Sequence, residues 1–150
     1  MPRVERSAVV TWDGNLARGT GHISADTGAF AQLPFSLPTR VGQAEGKTSP
    51  EELLAAAHAG CLAMSLAGEL TGNGTPPGRL EVHARVHIDE VEGRGHLVRG
   101  SAVTIRGRVP GLARDAWEAA VDAAHRGCTF STLLQDAGAE VTIESELEEG

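Results

Sequence analysis

The stretch that most constrains the fold is a helix without charge. No charged residue lies between Glu52 and Glu69, and apart from His58 the residues Leu53–Ala67 are apolar or small. The preceding Ser49-Pro50-Glu51-Glu52 supplies an N-cap serine, a proline at the first helical position and a glutamate three residues after the cap. A helix that is apolar on every side is predicted to be buried on every side. About 15 residues are too few to span a bilayer, so the sequence predicts the central helix of a core.

Shorter elements are predicted around this helix, separated by turns rich in glycine and proline. Gly68 and the glycines and prolines after it are expected to end the central helix, and the segment with Pro34 and Pro38 is expected to be a loop. Strands are predicted near Ser7–Asp13, Gly19–Ser24, Ala29–Leu33, Leu80–Asp89, Val103–Val109 and Ala139–Leu147, and helices near Ala113–Arg126 and Ser131–Gln135. This order predicts an α+β fold rather than regular βαβ units.

Length and charge exclude several classes of protein. A chain of 150 residues fits a single domain, 1–150, or one half of an intertwined oligomer. Its net charge of −7 argues against nucleic acid as a partner. The first residues, Met1–Arg6, contain no apolar signal core, and no run approaches the roughly 18 apolar residues of a membrane span. The sequence therefore predicts a cytoplasmic protein that does not bind a membrane.

Two cysteines, Cys61 and Cys128, are the residues most suited to chemistry. A reducing cytosol disfavours a permanent disulfide, so the two thiols are inert, metal-binding or redox-active. Cys61 lies in the middle of the apolar helix, where a thiol ionises only with a cation nearby, most plausibly an arginine. Cys128 follows Gly127, a fitting C′ cap for the preceding helix, in a turn that could bring it onto the central helix. One buried thiol paired with another at a mobile junction is the layout of a two-cysteine peroxidase.

Two motifs resemble the OsmC/Ohr family of thiol-dependent hydroperoxide reductases. The first runs from Thr48 to Cys61 and contains Pro50-Glu51-Glu52-Leu53 at a fixed spacing before the cysteine. The second is Gly127-Cys128-Thr129-Phe130-Ser131, in which Thr129 occupies a place usually held by proline. The resemblance covers nearly the whole chain and includes the segment Pro34–Arg40.

The resemblance implies a role for each of several residues. Cys61 matches the peroxidatic cysteine, Cys128 the resolving cysteine, and Glu51 the partner of a catalytic arginine. In the OsmC branch that arginine lies in the loop before the helix, which is Arg40 here. In the Ohr branch it lies earlier, where Arg18 is the nearest candidate. The Arg40 segment matches the OsmC pattern better, so the chain is assigned to the OsmC-like branch.

The resemblance also implies an assembly and a reaction. Family members are intertwined homodimers with β-sheets wrapped around the buried central helix and two active sites at the interface. They prefer organic hydroperoxides to hydrogen peroxide and are reset by dithiols, with lipoylated proteins as candidate reductants. No metal or organic cofactor is expected. Two alternatives stay open: a redox-responsive or small-molecule-binding stress protein with little turnover, and a structural stress protein with inert cysteines.

Helix geometry adds an expectation about the subunits. Glu51 and Cys61 are about 15 Å apart along one helix and about 80° apart around its axis. Glu51 therefore cannot touch the thiol of its own helix, and either a long arginine bridges the gap or the two residues meet across a dimer. An uncharged helix is readily covered by a symmetric partner, which favours the second option.

Structural roles account for some of these residues without any chemistry. Glu51 interacts favourably with the helix dipole, and Glu52 completes the capping box. His58, within the apolar helix, fits a packed core residue better than a base. His83 and His87 share one strand face and are expected to be solvated, and no histidine has a zinc-ligand spacing with the cysteines.

Overall fold

The computed structural model describes residues 2–149, which form two compact units. The first contains the described residues up to Pro50 and the second those from Glu51 onward. Helices and strands are segregated rather than alternating, so the predicted α+β class is confirmed. The single domain over 1–150 stays a prediction.

The first unit is a small antiparallel sheet followed by a short helix. Its strands are β1 (Ala8–Asp13), β2 (Thr20–Ala25) and β3 (Leu33–Phe35), in that spatial order. Strand β3 lies later than the predicted 29–33. Gly21 on β2 lies opposite Phe35 on β3. The rings of Phe35 and Trp12 occupy the space that a side chain at position 21 would need, so only glycine fits there. The two ring centroids are 5.6 Å apart.

Helix α1 (Leu37–Val41) lies where a loop was predicted, so that prediction is wrong over these residues. Ser36 is its N-cap: the Thr39 backbone N–H donates to Ser36 Oγ at 3.3 Å. Pro38 lies in the first turn, where its missing N–H leaves no helical hydrogen bond unmade. The proline read as a loop signal therefore helps to start a helix.

The second unit contains a three-stranded sheet and three helices. Strands β4 (Arg79–Val91) and β5 (Gly95–Arg108) form an antiparallel hairpin with a bulge at His87/Ile88. Strand β6 (Glu140–Leu147) pairs parallel to β5, which requires a crossover. Helices α3 (Arg114–Arg126) and α4 (Thr129–Asp136) form that crossover. Both β4 and β5 are longer than predicted, while the predicted solvation of His83 and His87 is confirmed.

Helix α2 runs from Pro50 to Gly72. The predicted end at Gly68 is wrong, because the stripe of buried residues at every fourth position continues through Leu66 to Leu70. A glycine inside a helix costs only about 1 kcal/mol, less than burial of a leucine side chain contributes. The start at Pro50 agrees with the predicted capping sequence.

The stripe of α2 packs on the core of the second unit. His58, Leu62, Leu66 and Leu70 are its buried residues, and the leucines join a cluster that includes Ile105, Trp117 and Ala124. Within a single chain the helix is buried along this stripe and not on every side: the Met64 side chain is 78% exposed.

The length of α2 also corrects an expectation about membranes. Over 23 residues it is long and apolar enough to cross a bilayer, and it is the one helix in the described part of the chain that is. The core helix of a soluble protein meets the same criteria. The buried stripe, with a hydrogen-bonded histidine in it, fits a core helix better than a lipid-facing one.

Candidate active site

The structure brings Cys61 and Cys128 together within the second unit. Cys61 lies in the middle of α2, is half-buried and packs against the core cluster to which Cys128 belongs. Cys128 is fully buried, and both thiols are free. Cys128 lies close enough to Cys61 to raise the pKa of the Cys61 thiol.

Cys128 is held at the junction of two helices. Gly127 ends α3, with its N–H donating to Ala123 O, and Cys128 is the N-cap of α4. The Ser131 backbone N–H donates to Cys128 Sγ at 3.5 Å. Gly127 has φ −90°, so it closes the helix as a C-cap in right-handed conformation rather than as the left-handed C′ residue that its glycine suggested. The close turn places the second thiol directly at the start of a helix.

The first turn of α4 faces Cys61. Burial raises the pKa of the Cys61 thiol, and the adjacent Cys128 raises it further. Hydrogen bonds from the backbone N–H groups of Phe130 and Thr129 lower that pKa, but the balance stays above the ordinary value for cysteine. Full activation of Cys61 as a thiolate therefore calls for a cation, as the sequence indicated.

Arg40 lies in the first unit, in the last turn of α1. Its side chain lines a cavity of about 320 Å³ whose walls are mostly apolar. The other lining residues are Trp12, Leu16, Phe35, Ser36 and Leu37. A guanidinium at an apolar cavity can bind the polar end of a ligand while the walls hold its hydrocarbon part.

Arg18 and Glu51 occupy different places. Arg18 lies in the turn between β1 and β2, where its backbone N–H donates to Asn15 Oδ1 at 2.8 Å. It does not line the Arg40 cavity. Glu51 is half-buried in the first turn of α2, in the second unit. The meeting of Arg40 and Glu51 with Cys61 stays a prediction.

His58 holds three elements of the second unit together. Its Nδ1 lies 2.7 Å from Ser101 Oγ on β5, and its Nε2 lies 2.8 Å from Ser131 Oγ on α4. All three side chains are fully buried, as predicted for a core histidine. Burial, and to a lesser extent the nearby His125, lower the pKa of His58. Both ring nitrogens are engaged, so His58 is poorly suited to act as a base for Cys61.

The serine partners of His58 were not predicted from the sequence. Ser101 and Ser131 lie far from His58 along the chain, and isolated serines give no pairing signal. A third serine, Ser65, lies on α2 after Cys61 and attaches the helix to α3. Its Oγ donates a hydrogen bond to Ala124 O at 2.8 Å. Because His58 and Ser65 flank Cys61 on α2, the thiol lies on a segment fixed to α3, α4 and β5.

Among residues 2–149 the structure contains no group of three or more histidine, cysteine or acidic side chains that could hold a metal ion.

Comparisons with known proteins agree along most of the chain. Residues 42–144 match the family model described as OsmC-like protein. Peroxiredoxin OsmC of Escherichia coli (strain K12) is 31% identical over 144 residues, which cover 96% of this chain and 97% of that protein. The organic hydroperoxide resistance protein of Xanthomonas axonopodis pv. citri is 30% identical over 116 residues, covering 75% and 77% respectively. The crystal structure of OhrB, the organic hydroperoxide resistance protein of Bacillus subtilis, matches with a TM-score of 0.66 at 27% identity and covers 95% of this chain and 98% of that one.

Proposed function

The chain belongs to the OsmC-like protein family, and from this membership we propose that it is a cysteine-based peroxidase that reduces organic hydroperoxides to alcohols. Relatives named peroxiredoxin and organic hydroperoxide resistance protein support a peroxidase-type role. The observation that carries the proposal is the packing of Cys61 against the buried cluster that contains Cys128, the N-cap of α4.

The proposed reaction uses both thiols in turn. The Cys61 thiolate attacks one peroxide oxygen, the O–O bond breaks, and the departing alkoxide takes a proton to leave as an alcohol. Cys61 becomes a sulfenic acid. The Cys128 sulfur then attacks the Cys61 sulfur, a water molecule leaves, and a Cys61–Cys128 disulfide forms. An external dithiol, with lipoylated proteins as the candidate class, reduces the disulfide by two electrons.

Arg40 and Glu51 are proposed to act through their charges, Arg40 on the Cys61 thiolate and Glu51 on Arg40. Arginine stays protonated at any relevant pH, so Arg40 would lower the raised pKa of Cys61 and orient the peroxide. Glu51 would fix the guanidinium by a paired hydrogen bond. The apolar cavity beside Arg40 would hold the hydrocarbon part of the substrate. The proposed reaction uses no metal or organic cofactor.

The proposal includes a homodimer in the cytoplasm. Within one chain α2 leaves apolar side chains uncovered, Met64 above all. A second copy of the chain would cover them, and its Arg40 and Glu51 would complete the site around Cys61 and Cys128 of the first copy.

The proposed function is tested by comparing substrates at steady state. With a dithiol present, kcat/KM for an organic hydroperoxide such as cumene hydroperoxide is expected to exceed that for hydrogen peroxide by about tenfold or more, because an apolar cavity binds the hydrocarbon part. Consumption is followed with each peroxide over the same concentration range. Equal kcat/KM values for the two peroxides would contradict the preference for organic hydroperoxides. Consumption of neither peroxide would contradict the assignment of peroxidase activity.

The choice of arginine has its own prediction. Arg40→Ala is expected to raise the Cys61 thiol pKa by about one pH unit or more and to slow oxidation at neutral pH, since a cation near a buried anion stabilises it strongly. Arg18→Ala, which removes a similar charge from an exposed turn, is the matched control. The thiolate is titrated by its ultraviolet absorbance in both variants. A pKa moved by Arg18→Ala and not by Arg40→Ala would assign the catalytic arginine to the other branch.

A redox-responsive protein with little turnover is the second candidate function. The raised pKa of Cys61 favours the low turnover of this candidate, because a protonated thiol reacts slowly with peroxide. A Cys61–Cys128 disulfide that accumulates after peroxide treatment and is not turned over by dithiols would distinguish this function from the enzyme.

A further inference from the structure

Ser131 connects the thiol of Cys128 to helix α2 through two hydrogen bonds. Its backbone N–H donates to Cys128 Sγ at 3.5 Å, and its Oγ lies 2.8 Å from His58 Nε2. His58 lies on α2 three residues before Cys61, a little less than one helical turn. One serine therefore links the sulfur of Cys128 to the turn of α2 that precedes Cys61.

The other side of the His58 ring is held by the sheet. Its Nδ1 lies 2.7 Å from Ser101 Oγ on β5. The side chains of His58, Ser101 and Ser131 are each 0% exposed, so bulk water does not replace a partner that is lost. A ring bonded at both nitrogens has a fixed orientation. The first turn of α4 is thus tied to α2 and β5 at one point.

The second step of the proposed reaction depends on where the Cys128 sulfur is held. In that step the Cys128 sulfur attacks the sulfur of the Cys61 sulfenic acid, an S–S bond forms, the S–O bond breaks, and the hydroxyl leaves as water with the thiol proton. The rate of a reaction between two held groups depends on their alignment, and a displacement of about 1 Å can slow it a hundredfold. Cys128 lies at the junction of two helices, where the Ser131 N–H bonds its sulfur.

We propose that Ser131 and His58 are positioning residues that hold the Cys128 sulfur for its attack on Cys61. This inference rests on the proposed function, because it assigns the pair to the second of the two steps. Ser131 orients the Cys128 sulfur through its backbone N–H, and His58 fixes Ser131 through its ring. In this role His58 acts through its two hydrogen bonds and exchanges no proton with either thiol.

Two serine variants form a matched pair. Ser131→Ala and Ser101→Ala each remove one buried hydroxyl from the same ring, so each should lower the melting temperature by a similar few degrees. The Ser131 backbone N–H is kept in Ser131→Ala, and only the link to His58 is lost. Formation of the Cys61–Cys128 disulfide is expected to slow by about tenfold or more in Ser131→Ala and to stay within about threefold of the parent in Ser101→Ala.

The two steps are separated in a single turnover. Reduced protein is mixed with one equivalent of cumene hydroperoxide, and samples are quenched in acid at set times. Mass spectrometry distinguishes the sulfenic acid, which has gained one oxygen, from the disulfide, which has lost two hydrogens. Oxidation of Cys61 should proceed at the parent rate in both variants, because the lost bonds act on Cys128. General loosening of the fold would instead slow disulfide formation equally in the two variants.

An aromatic disulfide, dithiobis(nitrobenzoate), measures the same attack without peroxide. It is expected to react at half-buried Cys61 before fully buried Cys128. The S–S bond of the reagent breaks, one half stays on the Cys61 sulfur, and the other half leaves as a coloured thiolate. Cys128 then attacks the Cys61 sulfur and expels a second coloured thiolate. This second release should be independent of reagent concentration and about tenfold slower in Ser131→Ala than in Ser101→Ala.

The comparison of the two variants decides the inference. A second release that is no slower in Ser131→Ala than in Ser101→Ala overturns it. A slower release in Ser131→Ala alone, in a chain that never consumes peroxide, would keep the positioning role and reject the proposed function. Peroxide turnover with equal second-release rates would reject the positioning role alone.

Two substitutions at His58 cover the case in which a serine variant does not fold. The side-chain amide of glutamine reaches as far from Cβ as Nε2 does and can keep the bond to Ser131. The amide of asparagine reaches only as far as Nδ1 and can keep the bond to Ser101. The second release is expected near the parent rate in His58→Gln and about tenfold slower in His58→Asn. Equal rates in these two variants would overturn the inference.

Discussion

Replacing Cys61 with serine is expected to lower peroxide turnover by at least about a thousandfold. A serine hydroxyl stays protonated at neutral pH and is a poor nucleophile toward peroxide oxygen, so the first bond cannot form. Serine is close to cysteine in size, and Cys61 is only half-buried, so the fold should persist. Turnover is measured as consumption of an organic hydroperoxide with a dithiol present, corrected for the uncatalysed reaction.

The same substitution at the other thiol is the matched control. Cys128→Ser should consume about one equivalent of peroxide per chain and then stall, leaving Cys61 as a sulfenic acid or a more oxidised form. Serine is a good N-cap, so the start of α4 is preserved. Mass spectrometry of the parent after one equivalent of peroxide should show the loss of two hydrogens. Equal residual turnover in the two variants, or a Cys61–Cys61 link between chains, would contradict the assigned roles.

Mixing an inactive Cys61→Ser chain with a slowed Arg40→Ala chain is expected to raise activity above that of either variant alone. A Cys61→Ser chain retains Arg40, and an Arg40→Ala chain retains Cys61. If each site combines Cys61 and Cys128 of one subunit with Arg40 and Glu51 of the other, a heterodimer has one intact site and one site with both defects. Equal amounts refolded together give about half heterodimers by random pairing, so activity should recover to about a quarter of the parent value.

The refolding experiment has two controls. Each variant refolded alone measures its residual activity, and the two variants mixed after refolding measure any recovery without exchange of chains. No recovery above these values in the co-refolded sample would contradict the shared site. Full activity in a stable monomer would do so as well, and size-exclusion chromatography of the parent supplies that measurement.

The sequence predicted the existence and the start of helix α2, which contains Cys61, better than it predicted where that helix ends. The capping residues located the start at Pro50, because a cap depends on neighbouring residues. The end at Gly72 depends on Leu70 packing into a core built from β5 and α3, which no local signal reports. Likewise α1 was missed because Pro38 was read as a loop residue, although Ser36 carried an N-cap signal.

The sequence predicted the two reactive cysteines but not the hydrogen-bond partners that surround them. The two cysteines were found by their motifs, and the structure places Cys128 at the start of α4 and packs Cys61, in the middle of α2, against the same buried cluster. The N–H groups of Thr129 and Phe130 escape any pattern, because every residue except proline has one. What makes these two distinctive is the tertiary placement of α4 against α2. The Ser101–His58–Ser131 contacts depend on tertiary placement in the same way.

His58 joins strand β5 to helix α4 through a ring that exists in two tautomers. A neutral imidazole carries one hydrogen, so it donates through one nitrogen and accepts through the other. Ser101 lies 2.7 Å from one nitrogen and Ser131 lies 2.8 Å from the other. When Ser101 accepts, Ser131 must donate, and when Ser101 donates, Ser131 must accept. If the Ser101 hydroxyl on β5 changes from donor to acceptor, the Ser131 hydroxyl in the first turn of α4 must change from acceptor to donor. The imidazole hydrogen then sits on the other ring nitrogen, and the net charge of His58 does not change.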